Sequence, residues 1–368
     1  MGACEADSSG RCQQRALYPN ELQLSTTNFV DPHPQNSRES VENTCYVKLW
    51  VESVQYDEVL LPPKVLMARQ DQVHADNVDG PWFVDTRCIG CDVARHWAPG
   101  LIGMDVKGRS LVTRQPMTPE ETSALWRAAV ACPTQSIGNR DQVRPPPGVF
   151  PFELTEGVYA LGHNSPSSFG GHSYLVVRPT GNLMVDSPRY SRALKEAVDV
   201  FGGIAHVLLS HRDEVADAEK WASRYNARVW IHQDDADAAP FATDITVSEQ
   251  TVDAGVVSIP IPGHTKGHVA YHVDNRWLFT GDALFWNHRQ QELDITPKHT
   301  WYSWEALADS LDSVADLNVE WVFPAHGKWH PVGAELYARQ MARLGPAMRD
   351  IGQQDWSRRA HILFDWDP

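Results

Sequence analysis

Pro262-Gly263-His264-Thr265-Lys266-Gly267-His268 carries most of the information about architecture in this chain. It follows the apolar run from Val256 to Ile261, which reads as a strand. Its glycines let backbone approach closely, and its imidazoles leave the strand end where loops converge. Three further junctions have the same form. Ser210-His211-Arg212-Asp213-Glu214 follows the buried strand from Ala205 to Ser210, Phe279-Thr280-Gly281-Asp282 follows the strand from Trp277 to Thr280, and Phe323-Pro324-Ala325-His326-Gly327 follows Trp321-Val322-Phe323. Each sets a His or Asp just past a strand end. Imidazole and carboxylate in combination suit zinc, iron or manganese.

Outward from these junctions, further strands are expected at 158–161, 174–177, 183–186 and 229–232. Two of them pair around Thr180-Gly181-Asn182, and strands 269–273 and 277–280 meet at Asp274-Asn275. Helices are expected from Ser191 to about Val200, Glu214 to Asn226, Trp304 to Ala315 and Val332 to Leu344. The irregular mixture predicts a layered α/β sandwich over residues 150–345 rather than a doubly wound parallel sheet. Pro145-Pro146-Pro147-Gly148 is a stiff linker in front of it. Residues 67–144 form a smaller α+β unit. It holds Cys88-Ile89-Gly90-Cys91, a hairpin turn at Lys107-Gly108, a helix opened by the capping box Thr118-Pro119-Glu120-Glu121, and Cys132-Pro133. Residues 1–66, rich in Ser, Asn, Gln and Pro, read as a poorly structured extension, and 346–368 as a C-terminal tail.

The whole chain has 368 residues, 42% hydrophobic, enough for a sizeable core. No run approaches the roughly 18 apolar residues of a membrane span, so no membrane partner is expected. The net charge of −15 argues against a sequence-independent grip on nucleic acid, which needs Lys and Arg to displace counterions. Six cysteines are too few for a disulfide scaffold of this length, and the C-x-x-C pair reads as metal or redox chemistry in a reducing, cytoplasmic setting.

The four junctions taken together resemble the metallo-β-lactamase-fold superfamily, through Pro262-Gly263-His264-Thr265-x-Gly267-His268, Thr280-Gly281-Asp282 and Pro324-Ala325-His326-Gly327. The resemblance implies an αββα sandwich holding one or two metals that activate water against an ester, thioester, amide or phosphodiester. It further implies His264 as ligand of a first metal, Asp282 as a bridging carboxylate and catalytic group, and His326 as ligand of a second. The leading family motif, H-x-H-x-D-H, is broken here. His211 is present, Asp213 stands at the second His, Val215 at the Asp and Ala216 at the last His. A register shifted by two residues recovers Asp217 but places Ala218 at the final His. From a regular helix Asp217 would face roughly 200° away, so it needs a rearranged loop. The ligand count is therefore His211, His264, Asp282 and Asp213 (which is also a catalytic candidate) for one zinc or iron ion. A second ion would have only His326, the shared Asp282 and Asp217.

Cys88, Cys91 and Cys132 resemble the ligand set of a single-cluster ferredoxin domain, with Ala94 where the third close thiolate belongs. A subgroup of the superfamily carries such a domain in front, and Phe83-Val84-Asp85 and Ser187-Pro188-Arg189-Tyr190 read similarly. Three uses of the thiols stay open: a 4Fe–4S cluster lacking one protein ligand, a zinc ion, or packing alone. His172, in the glycine-bearing loop from His163, and Trp286, with Trp301, Trp304 and Trp329, are candidates for substrate contact. The expected function is a metal-dependent hydrolase of a small ester, thioester or phosphoester. The alternatives are a redox protein with an electron-transfer partner, passing electrons from a cluster to a non-haem iron, and a non-catalytic scaffold on a decayed site.

Overall fold

The computed structural model of the protein describes residues 68–141 and 144–359. The extension expected over 1–66 and the final residues of the tail lie outside them. All described residues belong to one compact unit, residues 63–368.

Two sheets form the centre. The first has seven strands in the order Asp244–Thr246, Arg228–His232, His206–Leu208, Leu183–Val185, Tyr174–Val176, Val158–Ala160 and Phe152–Thr155. The second has six, in the order Gln250–Asp253, Val256–Pro260, Val269–Val273, Trp277–Gly281, Trp321–Pro324 and His330–Pro331. Alternate side chains of each strand go to opposite faces. Tyr174, Val176, Val185 and Leu208 meet Val269, Tyr271, Trp277 and Phe279 between the sheets. Leu175, Met184, Val207 and Leu209 turn outward onto helices Arg192–Val200 and Ala218–Tyr225. On the far side Ala270, Leu278 and Val322 pack on helices Trp304–Ser313 and Ala334–Ile351. This is the expected αββα sandwich. Both faces of its central strands are covered, so those strands read as continuous apolar runs rather than alternating ones. The turn at Asp274-Asn275 has both residues at positive φ and pairs Val273 with Trp277, as expected.

Two boundaries differ from expectation. The helix expected from Glu214 starts only at Ala218, because Arg212–Glu214 form a separate 3-10 turn and Ala216 is driven to φ 36°. That turn frees Glu214 from the helix surface. The last helix runs on to Ile351, and a further helix spans Gln353–Arg359. Met348 and Trp356 from this expected tail are buried in the sandwich core, and Trp304 Nε1 donates to the Met348 carbonyl at 2.9 Å.

The smaller unit pairs strand Trp82–Val84 with Ile137–Asn139 and hairpin strand Ile102–Met104 with Ser110–Val112. Its long helix, Pro119–Ala131, is capped by Thr118, whose side chain accepts the Glu121 N–H at 3.2 Å. Trp82 meets Trp126 edge-on at 4.7 Å. The core continues into the sandwich through Trp97, which packs against Phe150 at 5.0 Å and Trp329 at 4.8 Å.

Candidate metal centre

The strand-end loops bring two donor sets together. His211, His264 and Asp282 form one, and Glu214, Asp282 and His326 the other, with all donor atoms of a set within 4.8 Å. Asp282 belongs to both. Its Oδ2 lies 3.8 Å from His211 Nε2 and 3.5 Å from His264 Nε2, while Glu214 Oε1 lies 3.6 Å from His326 Nε2.

The surrounding hydrogen bonds set the tautomers. Ser210 Oγ donates to Asp186 Oδ2 at 3.0 Å, so it accepts from His211 Nδ1–H at 2.9 Å. His264 Nδ1–H donates to the His299 carbonyl. His211 therefore turns a bare Nε2 toward Asp282, the form that binds metal, whereas His264 Nε2 donates to Asp213 Oδ2 at 3.4 Å and offers its lone pair to a metal by releasing that proton. His268 is held differently: its Nε2 accepts the Asp282 N–H at 3.2 Å, so it orients the carboxylate's backbone. A Cβ at Gly281, where φ is +50°, would strike His268 Nε2 and approach Ser210 Oγ to 2.8 Å, which is why the residue before Asp282 is glycine. His326 Nε2 donates to the Ser168 carbonyl at 3.2 Å, so that ring offers a lone pair by releasing this bond or by presenting Nδ1.

Several buried atoms here have no hydrogen-bond partner: His211 Nε2, Asp282 Oδ1 and both Glu214 oxygens. The Ser168 hydroxyl donates to the Ser165 carbonyl at 3.2 Å. Burial, reinforced by Asp186 and Asp282, holds the Glu214 carboxyl well above the usual carboxylate range. Burial opposes ionisation of Asp282 too, but the imidazoles of His326, His211, His264 and His268 outweigh it and hold that carboxyl low. Burial pushes Asp186 up to about 7. A cluster of orphaned acceptors is costly in an empty interior, and it fits a bound divalent cation.

Five of the expected residues converge: His211, Asp213, His264, Asp282 and His326. Asp213 Oδ2 lies 3.4 Å from His264 Nε2 and 3.7 Å from His211 Nε2, with its side chain 41% exposed at the mouth. Asp217 does not join them. Its Oδ2 accepts the Tyr190 N–H at 2.7 Å and its Oδ1 pairs with Lys220 at 2.7 Å, because it caps the late-starting helix and faces away from the centre. Glu214 was not among the expected ligands. Its only sequence signal is that it is an acid inside the broken motif, next to Asp213. Exposed aromatics flank the two sets: Trp301, 63% exposed, lies 4.5 Å from the His264 ring, and Phe169, 49% exposed, lies 6.3 Å from the His326 ring.

Of the residues expected to touch substrate, His172 and Trp286 are buried. His172 accepts from Asn164 Nδ2 at 3.3 Å and donates through Nε2 to His96 Nδ1 at 3.1 Å, and His96 donates onward to Asp92 Oδ2 at 2.9 Å. His172 thus ties its loop to the smaller unit. Trp286 is stacked on His330 at 4.0 Å. Trp304 is a core residue.

In the smaller unit, burial and the neighbouring thiols raise the pKa of Cys91 and Cys132, while Cys88 and Cys132 accept backbone N–H groups of Ser110 and Ser136, each at 3.3 Å. Among the described residues, the three thiols do not converge within 4.8 Å as the two donor sets of the sandwich do. Zinc–sulfur bonds of about 2.3 Å bring tetrahedral thiolates to about 4 Å from one another, so the spacing speaks against a single zinc. Ala94 is buried in helix Val93–Trp97, and Asp92 is committed to His96 and Arg95. One loop touches both centres. A Cβ at Gly170 would lie 3.0 Å from Cys91 Sγ, and one at Gly171 would strike the Glu214 carboxylate.

An αββα sandwich with His and Asp donors at the ends of its strands defines a metal-binding fold of the β-lactamase type. Residues 160–329 match the family model described as the metallo-beta-lactamase superfamily, and residues 84–139 match that of the 4Fe-4S single cluster domain of ferredoxin I. Over residues 160–329 the chain is thus similar to the metallo-β-lactamase superfamily, with a ferredoxin-like unit in front of that stretch. A hydroxyacylglutathione hydrolase of Acidiphilium cryptum is 34% identical over 149 residues, which cover 39% of this chain and 61% of the relative. One from Synechococcus is 29% identical over 161 residues, covering 41% and 61%. The chain thus spans less than two thirds of the length of these relatives. Among solved structures, a metallo-β-lactamase variant from Cronobacter sakazakii aligns with a TM-score of 0.40 at 15% identity, covering 57% of this chain and 98% of that one.

Proposed function

We propose that the protein is a metal-dependent hydrolase of small acyl thioesters, with two metal ions sharing Asp282. The observation that carries this is the pair of donor sets meeting at Asp282, lined by buried acceptors without hydrogen-bond partners. His211, His264 and Asp282 would hold the first ion, and Glu214, Asp282 and His326 the second. Glu214 does the work left vacant by Val215 and Ala216, so the count that stops at one ion from the motif reaches two. Zinc and iron both suit this donor set. Metal held there lowers the pKa of water and polarises an acyl oxygen.

The chain's own residues supply the rest. Ser210 and the His299 carbonyl hold the two imidazoles in their metal-binding tautomers. Asp213 Oδ2, at the open side, is placed to take a proton from the attacking water. Trp301 and Phe169 offer apolar surface to an acyl group on either flank. The relatives named hydroxyacylglutathione hydrolases favour a thioester over a phosphoester. In the smaller unit, Cys88, Cys91 and Cys132 fit three corners of a 4Fe–4S cluster, with the fourth left to a ligand from solution. A cytoplasmic setting accords with free thiols; among the described residues no helix is long and apolar enough to cross a membrane.

The test is thiol release from a panel of acyl thioesters by zinc- or iron-loaded protein, alongside Asp282→Ala. Turnover by the parent and none by the variant supports the reading; no turnover of any thioester by fully loaded protein refutes it.

A further inference from the structure

The 3-10 turn Gln233–Ala238 follows strand Arg228–His232 and lies against both histidine loops of the first donor set. Its Asp235 is buried, 1% exposed. One oxygen of that carboxylate, Oδ2, accepts the Thr265 hydroxyl at 2.6 Å and the Arg212 backbone N–H at 3.2 Å. Arg212 directly follows His211, and Thr265 directly follows His264. A single buried oxygen therefore ties the two loops together one residue from each imidazole, and the two rings stand 4.6 Å apart, edge to face. Gly267 closes the same contact. A Cβ there would lie 2.7 Å from the Asp235 backbone nitrogen and 2.6 Å from its Cγ, so close approach of Asp235 is what requires that glycine. Two more carboxylates of the turn reach the same loops, Asp234 to Lys266 at 2.9 Å and Asp237 to Arg212 at 3.0 Å. Those pairs are exposed and contribute little.

We propose that Asp235 is a positioning residue for the metal centre, holding the His211 and His264 loops in register so that both imidazoles meet at Asp282. This rests on the hydrolase reading and deepens it, and it gives Asp235 no role as a ligand. Each arm of the clamp ends beside a ligand, so a shift of either arm is passed directly to an imidazole. An acceptor that satisfies two donors at once is costly to remove, because both donors are left unpaired. The clamp also reaches the second donor set. Arg212–Glu214 form one turn, and the Glu214 N–H donates to the His211 carbonyl at 3.3 Å, so the bond at Arg212 helps set where the Glu214 side chain leaves the backbone.

The test is cobalt(II) binding to the full chain. Its ligand-field absorbance reports the geometry of the site, competition with a chromophoric chelator gives the affinity, and circular dichroism checks the fold of each variant. Asp235→Ala is expected to weaken cobalt binding by about ten-fold or more and to change the ligand-field spectrum while the circular dichroism stays that of the parent. Asp235→Asn, whose amide oxygen can accept both bonds, is expected to keep the parent spectrum and to bind within about three-fold of the parent. Thr265→Val removes one arm and leaves the carboxylate in place, so it is expected to weaken binding by an intermediate factor, and it decides the matter if Asp235→Ala does not fold. Parent-like affinity and spectrum in Asp235→Ala, or in Thr265→Val where that variant must stand in, overturns the proposal. So does an Asp235→Asn protein that binds as weakly as Asp235→Ala. Cleavage of acyl thioesters is measured in parallel. Loss in Asp235→Ala with rescue in Asp235→Asn, but no turnover by the parent, would remove the hydrolase reading and leave the positioning role standing; turnover with unchanged cobalt binding in Asp235→Ala would do the reverse, and a parent that binds no cobalt would remove both.

Discussion

Glu214→Gln separates a metal ligand from a structural acid. In the metal-free protein the Glu214 carboxyl is buried, is held well above the usual carboxylate range by that burial, and has no hydrogen-bond partner on either oxygen. Glutamine has the same shape and no charge to desolvate. Neither oxygen gives up a hydrogen bond, so the metal-free variant is expected within about 1 kcal/mol of the parent. That corresponds to a change in Tm of no more than about 4 °C for a chain of this size. Metal binding responds differently. The second set consists of Glu214, Asp282 and His326, and removing one of three donors is expected to cost at least about 100-fold in affinity, or about 2.7 kcal/mol. Metal content after gel filtration should fall from two equivalents to one, read by elemental analysis beside thermal melts of chelated protein. A variant that keeps two equivalents, or one that melts far below the parent when metal-free, would falsify the assignment and make Glu214 a structural residue.

Three further expectations follow from the same geometry. Asp282→Ala should strip metal from both sets while the circular dichroism spectrum stays that of the parent, since Asp282 bridges the sets and carries no core packing; retained metal would sink the site. Asp186 is pushed up to about 7 by burial, so folding favours its protonated form. Its contribution is full below the usual carboxylate pKa and is lost as pH rises through about 7, so metal-free protein should melt lower at pH 8 than at pH 5.5, and Asp186→Asn should flatten that slope. Gly281→Ala forces a Cβ at positive φ into His268 and Ser210, and should lower stability by more than about 1 kcal/mol in denaturant titrations together with first-site metal affinity; an unaffected variant would mean that the loop shifts freely.

The strand-end His and Asp residues and the fold class were legible in the residue order because local chemistry is written there. A glycine beside a ligand, a turn at Asp274-Asn275 and an apolar run each have a local cause. Where two buried faces abut, even strand existence can be read, since both faces must be apolar. Asp217, Glu214 and His172 were different. Whether an acid at 214 or 217 points into the centre depends on where one helix begins, and the Ala216 backbone and the Asp217 bond to Tyr190 settle that. His172 sits among glycines and serines as a surface residue would, yet His96, distant in the chain, buries it. Spacing along a chain reports neighbours within one element. Which carboxylate faces which imidazole across two sheets is set by packing between segments far apart in sequence, and that pairing exists only once the sandwich has closed.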